Sequence, residues 1–185
     1  GMISGCNFGS GRKRDEFSYG FSRYNYIWGW ASWRRAWKNY DVKMGLWPEI
    51  KAGNWLKDIF EKPKYAEYWT EKFDATYDGK INTWDYQWFF TCLINNFLTI
   101  IPGVNLVSNI GFSSEATHTA GNPNDAAANI QTFPMKFPVK HPPFVIRNSI
   151  IDTFVQNKFF VKPGVMEVLN HNIKTSVKKL LNIKK

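Results

Sequence analysis

An α/β fold, a mixed β-sheet flanked by helices, is what this sequence predicts, and three observations carry the prediction. Period-2 alternation through Phe17, Tyr19, Phe21 and Arg23 marks a strand. Helical spacing then takes over in aromatic stripes that begin at Trp30 and at Tyr65. After them Leu98-Thr99-Ile100-Ile101 reads as a short buried strand, stopped by Pro102-Gly103. Composition agrees: 44% hydrophobic and 17% aromatic residues bury enough surface to offset chain entropy, which excludes disorder.

Taken in order, residues 2–8 are apolar enough for a first strand, and Gly9 to Arg14 read as a basic loop. The strand around Tyr19 runs through Trp28-Gly29-Trp30 into an amphipathic helix, the glycine allowing close approach. That helix places Trp30, Trp33, Trp37 and Tyr40 on one side and Arg34, Arg35 and Lys38 on the other. Tryptophans at this spacing usually form core, which is the expectation for Trp33, Trp37 and Trp69. Trp47-Pro48-Glu49 breaks the pattern, and Asn54 can cap a short helix bearing Trp55, Leu56, Ile59 and Phe60.

Pro63 suits a first helical turn. From it Tyr65, Tyr68, Trp69, Phe73 and Tyr77 form a stripe that closes at Asp78-Gly79. A third helix, roughly 84–96, starts from Asn82 or Thr83 and is apolar nearly all round, so it belongs inside the fold. A further strand is expected at Val104 to Val107. Residues 113–132 read as a long polar loop, and 133–147 are extended by Pro134, Pro138, Pro142 and Pro143. Residues 165–185 form a basic amphipathic terminal helix. With no internal repeat or linker, residues 2–185 read as a single domain, and Gly1 as a cloning remnant.

Two cysteines, Cys6 and Cys92, cannot build a disulfide scaffold and read as small buried hydrophobes in a reducing compartment. The spacing of Cys and His matches no structural zinc site. The most apolar stretch, Phe89 to Val107, is interrupted by Asn95, Asn96, Pro102 and Gly103, too soon to span a bilayer. Cytoplasmic placement follows as the expectation. The net charge of +9 is weighted to the second half, where five lysines crowd the last dozen residues. Such a tail is either a solvated helix or a contact for the anionic inner membrane surface. It has no interleaved aromatics, which makes nucleic acid the weaker partner.

Chemistry is concentrated in three places. Asp85, in Thr83-Trp84-Asp85-Tyr86-Gln87-Trp88, opens the most apolar helix. An acid there is favoured by the helix dipole alone, yet a carboxylate at the mouth of an aromatic pocket can also take a proton from a hydroxyl. His118 lies among Glu115, Thr117 and Thr119, a cluster able to help bind a metal or a diphosphate. Arg12-Lys13-Arg14 and Arg23 are candidate phosphate contacts, against the commoner reading of solvated surface charge. No Walker loop, dinucleotide fingerprint or nucleophile elbow occurs.

The run from Arg23 to Trp37, with Tyr40-Asp41, Leu46-Trp47-Pro48-Glu49, Thr83 to Trp88, Asn105 to Phe112, Ala116 to Thr119 and His141-Pro142-Pro143, resembles a bacterial glycosyltransferase-like family. Its members are labelled nucleotide-diphospho-sugar transferases and sometimes hemolysin-related proteins. The resemblance implies the C-terminal, acceptor-side half of a type A glycosyltransferase (GT-A) fold, without the donor half and its Asp-x-Asp metal motif.

On that resemblance Asp85 is the general base that activates an acceptor hydroxyl for an inverting displacement. Trp28, Trp30 and Trp84 line the acceptor pocket, Arg23 lies near the phosphates, Glu115 is a further substrate-binding residue, and His118 approaches a divalent metal (Mn²⁺ or Mg²⁺) or the leaving diphosphate. The implied ligands are a nucleotide sugar and a carbohydrate acceptor. A halved sheet would leave an open edge near residues 2–8 or 17–24, to be covered by a second copy or an N-terminal partner chain. The competing reading is a noncatalytic carbohydrate-binding module that uses the same tryptophans.

Overall fold

Alternate burial builds the sheet. In β1 (Met2–Ser4) the side chains of Met2 and Ser4 are buried while Ile3 faces out. β2 (Tyr19–Ser22) and β3 (Trp30–Ser32) follow, then α1 (Arg34–Trp37), α2 (Trp47–Ala52), α3 (Leu56–Ile59), α4 (Pro63–Tyr77), α5 (Asp85–Ile94), β4 (Thr99–Pro102) and α6 (Ser149–Val155). A π-helical turn, Gln156–Phe160, continues α6. This computed structural model describes residues 1–9, 15–111 and 130–161. The basic loop at 10–14, most of the polar loop, and the C-terminal helix expected at 165–185 lie outside the described residues.

The described residues form a mixed α/β structure whose open four-stranded sheet has the order β2-β4-β1-β3. β1 runs parallel to β4 (Met2↔Thr99) and antiparallel to β3 (Ser4↔Trp30), while β2 pairs antiparallel with β4 (Phe21↔Ile100). Gly1 takes part as well: its amino group donates to the Leu98 carbonyl at 2.7 Å, and its carbonyl accepts from Ser32 Oγ at 2.8 Å.

Residues 2–8 therefore do not supply an open edge, because β1 lies between two neighbours. The outer flank of β2 is also engaged, with a Phe21↔Arg147 bridge and an Asn148 N–H bond to the Phe21 carbonyl. At the bend before it, Ser18 and Lys140 join through the backbone. The proline-punctuated segment forms no helix and meets that edge at Lys140 and Arg147.

Two apolar clusters hold the helices. The larger gathers Tyr24, Tyr26, Trp47, Tyr65, Trp69, Phe73, Phe89, Phe90 and Val155, and the smaller gathers Met2, Ala36, Trp88 and Cys92. α5 is buried from Gln87 to Leu93, as its all-round apolar sequence requires. Cys6 and Cys92 are free and buried, and burial pushes their thiols up to about 12 and about 11. Among the described residues no helix is long and apolar enough to cross a membrane.

Several local expectations are corrected. The helix expected from Trp30 to Tyr40 is a strand followed by only four helical residues, because Trp30–Ser32 pairs with β1 and Trp33 stays extended. The spacing then puts Trp33 and Trp37 at 37% and 41% exposure, on the surface rather than in the core, whereas Trp69 is buried. Trp47-Pro48-Glu49 opens a helix instead of breaking one, since proline lacks only an N–H that the first turn leaves unpaired.

Asn54 adopts a left-handed conformation (φ 56°) and makes no cap to α3. Val104 to Val107 form no strand. There the Asn105 side chain takes the place of a ladder, accepting from the Asn7 N–H at 2.9 Å and donating to the Val107 carbonyl at 2.8 Å. α6 was not anticipated, although Asn148 caps it by accepting the Ile151 N–H at 3.2 Å.

Gly29 is left-handed at φ 59°, and a Cβ there would lie 2.5 Å from Val107 Cγ2. Gly29→Ala is expected to destabilise the protein by about 2 kcal/mol through backbone strain and displacement of Val107. Gly20→Ala, where a Cβ meets nothing within 4 Å, serves as the neutral control. Equal urea midpoints for the two variants would refute the expectation.

Candidate functional site

The β3–α1 corner and the start of α5 meet in an aromatic surface. Trp30 stacks on Trp84 with centroids 5.2 Å apart and planes at 20°. Trp37 stacks on Tyr40 at 4.5 Å and 14°. Both pairs rest on Trp88, fully buried in α5, at 6.3 Å from Trp30 and 5.0 Å from Trp37. The Tyr40 hydroxyl ties the two together by donating to the Trp84 carbonyl at 3.2 Å. Trp37 and Trp84 remain 41% and 39% exposed, so their rings form a platform with one side packed and one side open.

Asp85 stands at the rim of this platform, half-buried in the first turn of α5. Its Oδ1 accepts from the Thr83 hydroxyl and from the Tyr86 N–H at 3.0 Å. Burial, and after it the Asp85 and Asp41 carboxylates, hold the Tyr40 hydroxyl above its ordinary pKa. Among the described residues Asp85 is in no ion pair. Its contacts are those of a helix-opening acid, and they leave the second carboxylate oxygen for a ligand.

The structure thus brings Trp30, Trp84 and Asp85 together, and it packs Trp28 and Arg23 against other neighbours. Trp28 belongs to the larger cluster, edge-on to Phe8 at 5.3 Å. Arg23 Nη1 donates to the Ile59 carbonyl and lies 3.7 Å from Glu61, so its guanidinium is already occupied. Glu115 and His118 fall outside the described residues. Among the described residues no three His, Cys, Asp or Glu side chains come together to hold a metal ion.

A separate concavity lies over β2 and β4, lined by Asn7, Asp15, Phe17, Tyr19, Pro102 and Asn148, with neither Asp85 nor any tryptophan in its wall. Beside it is a charged network that the sequence reading missed. Asp152, 2% exposed, accepts from the Ser22 hydroxyl and from the Arg23 N–H at 3.1 Å. Arg147 lies 3.6 Å from Asp152 and also pairs with Glu61, which faces Arg23. The four charges come from three separate parts of the chain, around Arg23, Glu61 and Arg147–Asp152, so no local motif announces them. The one signal was an Asp inside the apolar run Ile150 to Val155, where a carboxylate needs partners.

Comparison with known proteins adds no relative: no protein-family model, curated protein or solved structure matches this chain.

Proposed function

We propose that this chain binds a carbohydrate on the Trp30/Trp84 and Trp37/Tyr40 platform, as the receiving side of a sugar transfer. The observation that carries this is the pairing of two half-open aromatic stacks with a carboxylate at their rim. Flat indole faces suit the C–H faces of pyranose rings, because each covers apolar surface while the sugar hydroxyls stay in water or reach a polar neighbour. Asp85 is the neighbour available to accept a hydroxyl proton, which is the role of a general base when a nucleotide-activated sugar is attacked. The mixed sheet with its helices is compatible with the acceptor half of a type A glycosyltransferase. In that setting a Mn²⁺ or Mg²⁺ ion would act at the donor diphosphate.

A noncatalytic binding module is the second reading. It is favoured by the hydrogen bonds that tie Asp85 into its own helix start. Calorimetric titration of the whole chain with oligosaccharides, with and without a nucleotide diphosphate and Mn²⁺, separates the two. Trp84→Ala and Trp37→Ala are each expected to weaken glycan binding by about fivefold or more, for loss of ~1–3 kcal/mol of stacking. Tightening of glycan binding by nucleotide and metal supports transfer, and glycan binding indifferent to both supports the module. Binding unchanged in both tryptophan variants would remove the platform from either reading.

A further inference from the structure

The charge that acts on the platform is negative. Asp85 follows Trp84 at the rim and Asp41 follows Tyr40, so each aromatic stack carries a carboxylate next to one of its rings. The Tyr40 hydroxyl, 3.2 Å from the Trp84 carbonyl, feels both: burial first, then Asp85 and Asp41, raise its pKa. Asp85 Oδ1 accepts from Thr83 and Tyr86, and Asp41 accepts the Lys43 N–H at 2.9 Å and the Gly45 N–H at 2.7 Å. Neither carboxylate is in an ion pair among the described residues. A full carboxylate charge outweighs the roughly half charge at the N-terminus of α5. Arg35 of α1 lies over the Trp33 ring at 5.2 Å, and Trp33 belongs to neither stack. A ligand on the open faces of Trp37 and Trp84 therefore rests on electron-rich rings in a negative local field, and both features favour a cation.

Resting on the carbohydrate reading above, we infer that the preferred ligand is a cationic amino sugar, a hexosamine with a free amine within an oligosaccharide. Its pyranose face lies on the tryptophans, and its ammonium, projecting from the ring edge, lies in the field of Asp85 and Asp41. The ring quadrupole and the carboxylates attract the same charge, so the two effects add. A neutral sugar makes the stacking contact alone, and an anionic sugar is repelled by the carboxylates. The whole chain carries +9 and repels a polycation at long range. Salt screens charges farther apart than about 8 Å at physiological strength, so a preference for the amino sugar reports the carboxylates close to the rings. Charge supplies specificity and stacking supplies the common base of affinity.

The test is a calorimetric comparison of the whole chain with a β-1,4-linked glucosamine oligomer and a β-1,4-linked glucose oligomer of equal length. The two differ by one ammonium in place of one hydroxyl on each ring. In a mildly acidic buffer, where sugar amines are charged and ordinary carboxylates ionised, the glucosamine oligomer is expected to bind about fivefold tighter or more. That advantage is expected to shrink as salt rises, which reads the charge without any substitution. Asp85→Asn, which keeps an oxygen for the Tyr86 N–H, is expected to lose most of it. Equal affinities in the wild type, or an advantage undiminished both by salt and in Asp85→Asn, would overturn the charge preference and leave the platform standing. Loss of both oligomers in Trp84→Ala and Trp37→Ala supports the shared site. Retention of both in those variants, or a wild type that binds neither, refutes the carbohydrate platform and the inference with it. A lysine oligomer bound as tightly as the glucosamine oligomer, with both tryptophan variants unaffected, would make the surface a general polycation patch and also overturn the inference.

Discussion

Trp69→Ala is expected to leave much of the protein unfolded at ordinary temperature. The indole is 2% exposed and lies against Phe89 at 4.5 Å, Phe160 at 5.1 Å, Tyr68 at 5.2 Å and Phe73 at 5.7 Å. Those neighbours come from α4, α5 and the π-helical turn, so they cannot close together around a missing ring without moving three elements. Removing a buried Trp costs about 3–5 kcal/mol through lost transfer energy and the cavity left behind. The indole N–H also donates to Gln156 Oε1 at 3.1 Å, and Gln156 is fully buried.

An orphaned amide oxygen there adds ~1–3 kcal/mol. Against a total stability of about 5–15 kcal/mol for an ordinary domain, that is a large share. Trp69→Phe, which keeps a smaller aromatic ring and loses the N–H, is expected to cost less than Trp69→Ala. Trp33→Ala, at an exposed site, is expected to stay within about 0.5 kcal/mol. Urea unfolding of the three variants checks the ranking. Trp69→Ala within about 1 kcal/mol of wild type would show that the larger cluster is not built around this residue.

The second large effect is on the pH dependence of stability. Burial pushes the Asp152 carboxyl up to about 6, against hydrogen bonds from Ser22 and the Arg23 N–H and the charges of Arg147 and Arg23. The folded state therefore holds this proton more tightly than the unfolded chain, whose value is near 3.8. Stability from this group is fully present below about pH 4 and is lost as the pH rises through about 6, on the order of 3 kcal/mol in all.

Glu61 works in the opposite sense. Burial raises its carboxyl, but its own backbone N–H, the Arg147 hydrogen bond and the Arg147 and Arg23 charges together hold it below the ordinary value. Its contribution is present at neutral pH and lost on acidification. In Asp152→Asn the Asp152 component disappears. The difference in unfolding free energy between wild type and this variant is expected to change steadily from pH 4 to pH 7, with wild type gaining relative stability as the pH falls. Parallel curves for the two proteins across that window would exclude a buried, titrating Asp152.

Much of the fold was legible because it depends on local periodicity. The stripe Tyr65, Tyr68, Trp69, Phe73 placed α4, with Pro63 and Asp78-Gly79 marking its ends, and the continuous apolar run placed α5 in the interior. The β2 and β4 strands were readable from alternation and from the Pro102-Gly103 stop. Of the candidate site, Trp30, Trp84 and Asp85 were named from sequence and do converge. Trp28 was expected with them and packs instead against Phe8 in the larger cluster, while Arg23, expected near donor phosphates, is held by the Ile59 carbonyl and Glu61.

The sequence by itself determined α4, α5, β2 and β4, where apolar spacing near 3.6 or 2 agrees with the packing, but it misassigned Trp30–Ser32 and residues 104–107, whose state depends on pairing with distant residues. It also determined that the chain has aromatic surface to spare. Only the tertiary structure decided which tryptophans are core and which are platform. Trp69 and Trp37 sit in similar stripes, but Trp69 is enclosed between α5 and the π-helical turn, whereas Trp37 packs on Trp88 of α5 and stays 41% exposed. Pairing of Trp30–Ser32 with β1 turned the Trp30 stripe outward, and hydrogen bonds between residues 31 and 97 positions apart, Ser32 to Gly1 and Gly1 to Leu98, leave no trace in either stripe.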